Sequence, residues 1–405
     1  MSIQDDDVYL VTGLRTPIGS YGGSLAPVRA DDLAAHVLRR LLGSLPTIDP
    51  GDIDLVVLGC ANQAGEDNRN VARMALLLAG LPQSVSGITV NRLCASGLDA
   101  VIHAYGAVRA GLVDLVIAGG VESMSRAPYV FPKADSSYQK GLAAEDTTLG
   151  WRFVNPEMAS SYGCDPLGIT AEKVAQRNNI SRQDQDAFAH RSQSLAAAAI
   201  ERNRLAIEIT PIDVLQRREK ISFQQDEHPR LTAPEKLAAL KPAFAADGTV
   251  TAGNSSGLND GAVALLIASG KKVKELGLKP LAAIKQSAAA GVHPSYMGEG
   301  PIASTDKLLK RTGLTIADFQ VIELNEAFAA QVLACLKAWN VAYDDPRVNP
   351  NGGAIALGHP LGMSGARLAL SAAIELQQQE ANRALVTMCV GVGQGVSLIL
   401  ENTHQ

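Results

Sequence analysis

Short apolar runs alternate with stretches of helical spacing along most of the chain. Residues 8–12, 55–58, 88–91 and 115–118 are continuous apolar segments of strand length, and the stretches between them carry the three-to-four-residue period of helices. The pattern returns towards the C-terminus, where 319–324 and 384–388 have strand character and 305–312, 329–338 and 362–378 have helix character. A succession of βαβ units predicts an α/β fold.

Set side by side, the two ends of the chain form a weak internal repeat. Asp54-Leu-Val-Val-Leu and Asp318-Phe-Gln-Val-Ile each open a strand. Each strand is followed by a helix, a glycine-rich or cysteine-bearing turn, another helix and an apolar strand ending in glycine. On this alignment residues 90–94 correspond to 348–352. From about 122 to 250 the chain is more polar and irregular, which suits an inserted region covering a substrate. The expected division is therefore 1–121 with about 251–272 as a first half, 122–250 as an inserted loop domain that binds the ligand, and 273–405 as a second half.

Composition narrows the function classes. A length of 405 residues suggests two or three domains, and a formal net charge of -5 argues against a broad nucleic-acid surface, which needs a basic face. The five cysteines stand far apart with no C-x-x-C pair, so neither a zinc site nor a disulfide framework is indicated and a reducing cytoplasm fits. The N-terminal Met1-Ser-Ile-Gln-Asp-Asp-Asp lacks the features of an export signal, and no apolar run approaches the roughly 20 residues that span a bilayer.

Three reactive side chains sit in unusual surroundings. Cys94 lies between a predicted strand and a helix whose Leu98, Val101, Ile102, Tyr105 and Val108 share one stripe. The helix N-terminus there supplies amide donors that favour a thiolate, although a free cysteine also serves as a small core hydrophobe. His359 lies in a glycine-rich loop, with Pro360 suited to the first turn of the next helix. Cys389 ends a strand and is followed by Gly391, Gly393 and Gly395, which build a hairpin tip and do not form a dinucleotide fingerprint. On their own, the histidine and the glycines fit structural duties equally well.

Taken together, Asn91-Arg-Leu-Cys-Ala-Ser-Gly, Thr251-Ala-Gly-Asn-Ser-Ser-Gly-Leu-Asn-Asp-Gly-Ala, Asn325-Glu-Ala-Phe-Ala, Gly352-Gly-Ala-Ile-Ala-Leu-Gly-His-Pro-Leu-Gly and Cys389-Val-Gly resemble the thiolase family over nearly the whole chain. The resemblance implies two similar βαβαβαββ halves in a five-layer αβαβα arrangement with an inserted loop domain. It makes Cys94 the acyl-carrying nucleophile, His359 its base and Cys389 the acid/base for the substrate's α-proton. A water on Asn325 with His359 would form one oxyanion hole, and the amides of Cys94 and Gly391 the other. Ser256 and Ala252 would meet pantetheine, Phe244 the coenzyme A cleft, Phe328 the acyl end and Arg230 the nucleotide phosphates. Arg217, Arg218 and Lys220 add positive charge near Arg230, though they could equally be a solvated face. Coenzyme A is then a co-substrate, with no bound metal, nicotinamide or flavin, and the implied assembly is a homotetramer made of two dimers.

Within the family the resemblance is to 3-oxoadipyl-CoA (β-ketoadipyl-CoA) thiolases of aromatic-compound breakdown, through residues 59–74, 145–153 and 388–395. Where acetoacetyl-CoA thiolases carry a His-Met pair, this chain has Pro166-Leu167, so its acyl pocket should differ. Arg152 and His293 are candidates to meet the distal carboxylate of a dicarboxylic substrate. An acetyl-CoA acetyltransferase, a fatty-acid 3-ketoacyl-CoA thiolase and a non-catalytic acyl-CoA carrier of thiolase descent are the alternatives. Cys60, Cys164 and Cys335 are expected to serve packing.

Overall fold

The computed structural model describes residues 3–216 and 218–403. Its first half comprises β1 (Val8–Arg15), α1 (Ala30–Gly43), β2 (Leu55–Gly59), α2 (Val71–Leu78), β3 (Ser86–Val90), α3 (Ser96–Arg109) and β4 (Leu115–Ser123). A long excursion carrying α4 (Leu167–Arg177) and α5 (Arg182–Glu201) then returns to the sheet as β5 (Asn259–Ser269). The strands lie in the order β3-β2-β4-β5-β1, with β2 parallel to β3 and β4, and β5 antiparallel to its neighbours.

The second half repeats this plan with β6 (Ala282–Gly291), α6 (Gly300–Thr312), β7 (Val321–Leu324), α7 (Ala329–Ala338), α8 (Leu361–Gln378), β8 (Arg383–Val390) and β9 (Gln394–Glu401). Its strand order, β7-β8-β9-β6, matches the first half except for one outer strand. A single parallel bridge from Val348 to Ile322 stands where that strand would be, so Val348 occupies the place that Val90 holds in the first half. The internal repeat inferred from the sequence is thus a repeat of topology. The two half-sheets join edge to edge over Val8↔Ile284, Tyr9↔Ala283 and Leu10↔Ala282.

Five layers result. Helices α3 and α8 pack on each other between the half-sheets, α1 and α2 cover the outer face of the first, and α6 and α7 cover the outer face of the second. Strand β5 shows why the sequence supports this. Every one of its residues is buried, yet Val263, Leu265 and Ile267 point to the central layer while Ala262, Ala264, Leu266 and Ala268 point to the outer one. A strand covered on both faces keeps its two-residue alternation in space but loses it in polarity.

The central layer is close-packed through glycine. A Cβ on Gly120 would lie 1.9 Å from the carbonyl oxygen of Gly362, and one on Gly97 would lie 2.5 Å from the same atom. Only glycine lets β4 and α3 approach the start of α8 so tightly. The excursion differs from the sequence expectation of an irregular segment, because α4 and α5 are regular helices. The polar residues Gln185, Asp186, Ser192 and Gln193 of α5 are buried through tertiary contacts, which hides its stripe. No described helix is long and apolar enough to cross a membrane.

Candidate active site

Strand β3 ends at Val90, and the side chain of Asn91 ties the following turn together: its Nδ2 donates to the Ala61 carbonyl at 3.1 Å and its Oδ1 accepts from the Leu93 amide at 2.8 Å. Leu93 takes a left-handed φ of 47°, a conformation that costs a non-glycine residue about 1 kcal/mol. The Ser96 hydroxyl braces it by donating to the Leu93 carbonyl and accepting from the Arg92 amide. Cys94 therefore stands at the junction of strand and helix, on the wall of a cavity of about 500 Å³.

Two influences compete at its sulfur. Burial pushes the Cys94 thiol up to about 11, while the amides of Gly391 and of Cys94 itself point at the sulfur and pull the other way. The amides act in the direction the sequence reading expects, but desolvation outweighs them, so burial favours the thiol.

His359 follows the short helix Ala354–Leu357 and precedes α8, and its amide donates to Asn259 Oδ1 at 2.9 Å. Its Nδ1 lies 2.6 Å from Ser364 Oγ, whose single hydrogen is donated to the Pro360 carbonyl at 2.7 Å. The imidazole Nδ1–H must therefore be the donor to Ser364, which leaves Nε2 as the acceptor that faces the Asn325 amide. Burial, then the Arg367 guanidinium, hold His359 at about 3, so the ring is neutral at physiological pH. Pro360 caps α8 one residue ahead of its first turn.

Asn325, at the end of β7, lies 3.3 Å from His359 Nε2 through its Nδ2, and its backbone amide donates to Thr387 on β8. Its Oδ1 is buried with no partner, a ready acceptor for a water or substrate. Cys389, two residues beyond Thr387, packs among Phe328, Met297, Ala171 and Val250. Burial pushes its thiol well above the ordinary range, and Cys94 adds to the shift. Gly391 heads the turn between β8 and β9, so one strand end brings Cys389 and the Gly391 amide to Cys94.

The expected ligand residues gather nearby. Ser255 and Phe328 form an antiparallel bridge, Ser256 donates to the Ala327 carbonyl, and Phe244 meets Phe328 edge to face at 6.2 Å. Phe244 and Ala252 are exposed at the outer end of this array, while Phe328 reaches Cys389 at the inner end. Arg230 is exposed, beside His228. Lys220 pairs with Asp213 on an exposed hairpin, Arg218 is exposed, and Arg217 lies outside the described residues.

Two features escaped the sequence reading. Glu122, buried at the end of β4, accepts from the amides of Ala61, Asn62 and Gly362, and so links the first half to the start of α8. With Cys60 and Asp67 its ligand atoms fall within 4.8 Å of one another, but Asp67 is also bonded, to the amides of Gln63 and Gly65 and to the Cys60 thiol. That cluster serves as a hydrogen-bond hub. Ser364, one turn into α8, fixes the His359 tautomer, and its spacing of five from the histidine was the available signal.

A thiol approached by two amides, a second buried thiol that senses it, and a neutral imidazole whose Nε2 faces Asn325 are the kinds of group that acyl transfer through sulfur uses. The model of the family described as "Thiolase, N-terminal domain" matches residues 8–271, and that of "Thiolase, C-terminal domain" matches 278–402. A "Beta-ketoadipyl-CoA thiolase" of Pseudomonas knackmussii is 58% identical over 396 residues, covering 98% of this chain and 99% of that protein. A "3-oxoadipyl-CoA/3-oxo-5,6-dehydrosuberyl-CoA thiolase" of Escherichia coli is 57% identical over 397 residues, with coverage of 98% and 99%. Among solved structures, the Bacillus anthracis acetyl-CoA acetyltransferase superposes with a TM-score of 0.91 at 40% identity, covering 98% of each chain.

Proposed function

Since this chain belongs to the thiolase family, we propose that it cleaves 3-oxoadipyl-CoA with coenzyme A to succinyl-CoA and acetyl-CoA. It is an acyltransferase of the thiolase kind. The observation that carries the substrate is the identity of 57–58%, over almost the full length, to relatives named for that substrate.

In the proposed sequence the Cys94 proton passes to His359 Nε2 as the sulfur attacks the 3-keto carbon. The resulting oxyanion meets the imidazolium and a donor held by Asn325. Collapse breaks the bond between C2 and C3, the electron pair remains on C2, and Cys389 protonates it to release acetyl-CoA. Coenzyme A then gives its thiol proton to the Cys389 thiolate and attacks the succinyl thioester. The amides of Cys94 and Gly391 hold the second oxyanion, and the departing Cys94 sulfur recovers its proton from His359. This reading is supported by the neutral state of all three groups at rest, which has each ready to give or take the proton required of it.

Coenzyme A would enter past Phe244, Ala252 and Ser256 towards Phe328, with its phosphates near Arg230, and no other cofactor is required. A cytoplasmic homotetramer, two dimers paired, fits the five free cysteines and the unpaired outer edge of β3, where Ile88 is exposed. Comparing kcat/KM for 3-oxoadipyl-CoA and acetoacetyl-CoA tests the assignment. A preference for the dicarboxylic substrate is expected, and a clear preference for acetoacetyl-CoA would move the chain to the acetyltransferases.

A further inference from the structure

We propose that Arg152 is the specificity residue that reads the distal carboxylate of the acyl chain, an inference that rests on the dicarboxylic substrate just assigned. Three charged residues line the cavity that holds Cys94: Glu122, Asp165 and Arg152. Glu122 is committed to three backbone amides, and Asp165 pairs with Lys173 at 2.5 Å and accepts from the Ser295 hydroxyl. Arg152 is the one cation on the wall and has no carboxylate within 4 Å among the described residues. Its one hydrogen bond within the protein runs from a terminal guanidinium nitrogen to the Asn62 carbonyl at 3.2 Å. A guanidinium has five N–H donors in a fork that matches a carboxylate, so most of its capacity faces the cavity.

The placement of Arg152 is built. Asn62 is fixed through its amide to Glu122 and through its side chain to Thr147, so the carbonyl that holds Arg152 belongs to the same hub as the start of α8. On either side of it, Trp151 Nε1 donates to the Asp165 carbonyl and the Phe153 amide donates to Glu145. His293, the other candidate, is spent elsewhere: its Nδ1 accepts from the Ser295 amide, and its ring lies 6.4 Å from that of Tyr162 and 6.0 Å from that of Tyr296. With Glu122 and Asp165 already engaged, a carboxylate entering the cavity finds its one cationic partner on the wall in Arg152.

The test measures kcat/KM for thiolysis of 3-oxoadipyl-CoA and of 3-oxohexanoyl-CoA, which has a methyl group in place of the carboxylate, in the wild type, Arg152→Gln and Arg152→Lys. Arg152→Gln is expected to lower the value for 3-oxoadipyl-CoA by roughly 100-fold, mainly through KM, and to leave 3-oxohexanoyl-CoA within about twofold. Arg152→Lys should recover about a tenth of the wild-type value, because it keeps the charge and loses the fork. Equal losses on both substrates would make the residue structural and overturn the proposal. So would an unchanged preference for 3-oxoadipyl-CoA in Arg152→Gln, which would leave the substrate assignment standing. A wild type without that preference would instead remove the substrate assignment, and this inference with it.

Discussion

At Cys94, His359 and Cys389 burial acts in one direction, against charge, and it makes the resting site neutral. For His359 this has a measurable consequence. The unfolded imidazole takes up a proton near pH 6.5 while the folded one resists until about 3, so the folded state binds fewer protons throughout that window and loses stability as pH falls through it. The stability difference between wild type and His359→Gln should therefore shift against the wild type by about 1.4 kcal/mol per pH unit below 6.5, read from urea unfolding at pH 7 and 5. A difference independent of pH would contradict a neutral buried ring. Val392, next to Gly391, makes a second case: a β-branched residue with a φ of 63° on the cavity wall. Val392→Asn should raise stability by roughly 1 kcal/mol, since asparagine tolerates that conformation, and an unmoved urea midpoint would argue against strain there. The reactive types were legible in sequence through their glycine-rich settings. The balance at Cys94 was not, because desolvation depends on what the fold places around the sulfur.

The meeting of β4, α3 and α8 positions His359, and it depends on backbone approach. Gly120→Ala, whose Cβ would sit 1.9 Å from the Gly362 oxygen, is expected to cost about 3 kcal/mol and to lower kcat by displacing the start of α8. Gly106→Ala on α3, with nothing within 4 Å, should instead stabilise by about 0.5–1 kcal/mol. Similar urea midpoints for the two variants would show that the close approach is not what holds the helices. Elements with a clean period were legible: the helix expected at 329–338 spans Ala329–Ala338. Helix α6 begins at Gly300, ahead of the expected 305, with Pro301 in its first turn. Strands β5 and β6 lie outside the elements expected from the pattern, and α5 was hidden by its buried polar residues.

Across the whole molecule, the proposed site draws on every part of the chain: the first half would supply Cys94, the second His359, Asn325, Cys389 and Gly391, and the excursion between them Phe244 and Arg152. We read the sequence division at about 121, 250 and 272 in that sense. The hydrogen-bond edge of β3 remains open, and Ile88 on it, 37% exposed, belongs to a surface proposed to be covered by a second copy. Ile88→Asp should reduce the sedimenting species towards monomer, and an unchanged mass would place the interface elsewhere. What periodicity could not show was which distant segments meet; that came from the motifs jointly, and from the topology that brings the ends of β3, β7 and β8 together.

The covalent load on Cys94 is tested most directly by mixing the full chain with 3-oxoadipyl-CoA in the absence of free coenzyme A, quenching in acid, and locating any added mass on peptides by mass spectrometry. One succinyl group on the peptide bearing Cys94, absent in Cys94→Ala and discharged by coenzyme A, is the expected result. Turnover that continues in Cys94→Ala, or a succinyl group carried on another residue, would contradict the account.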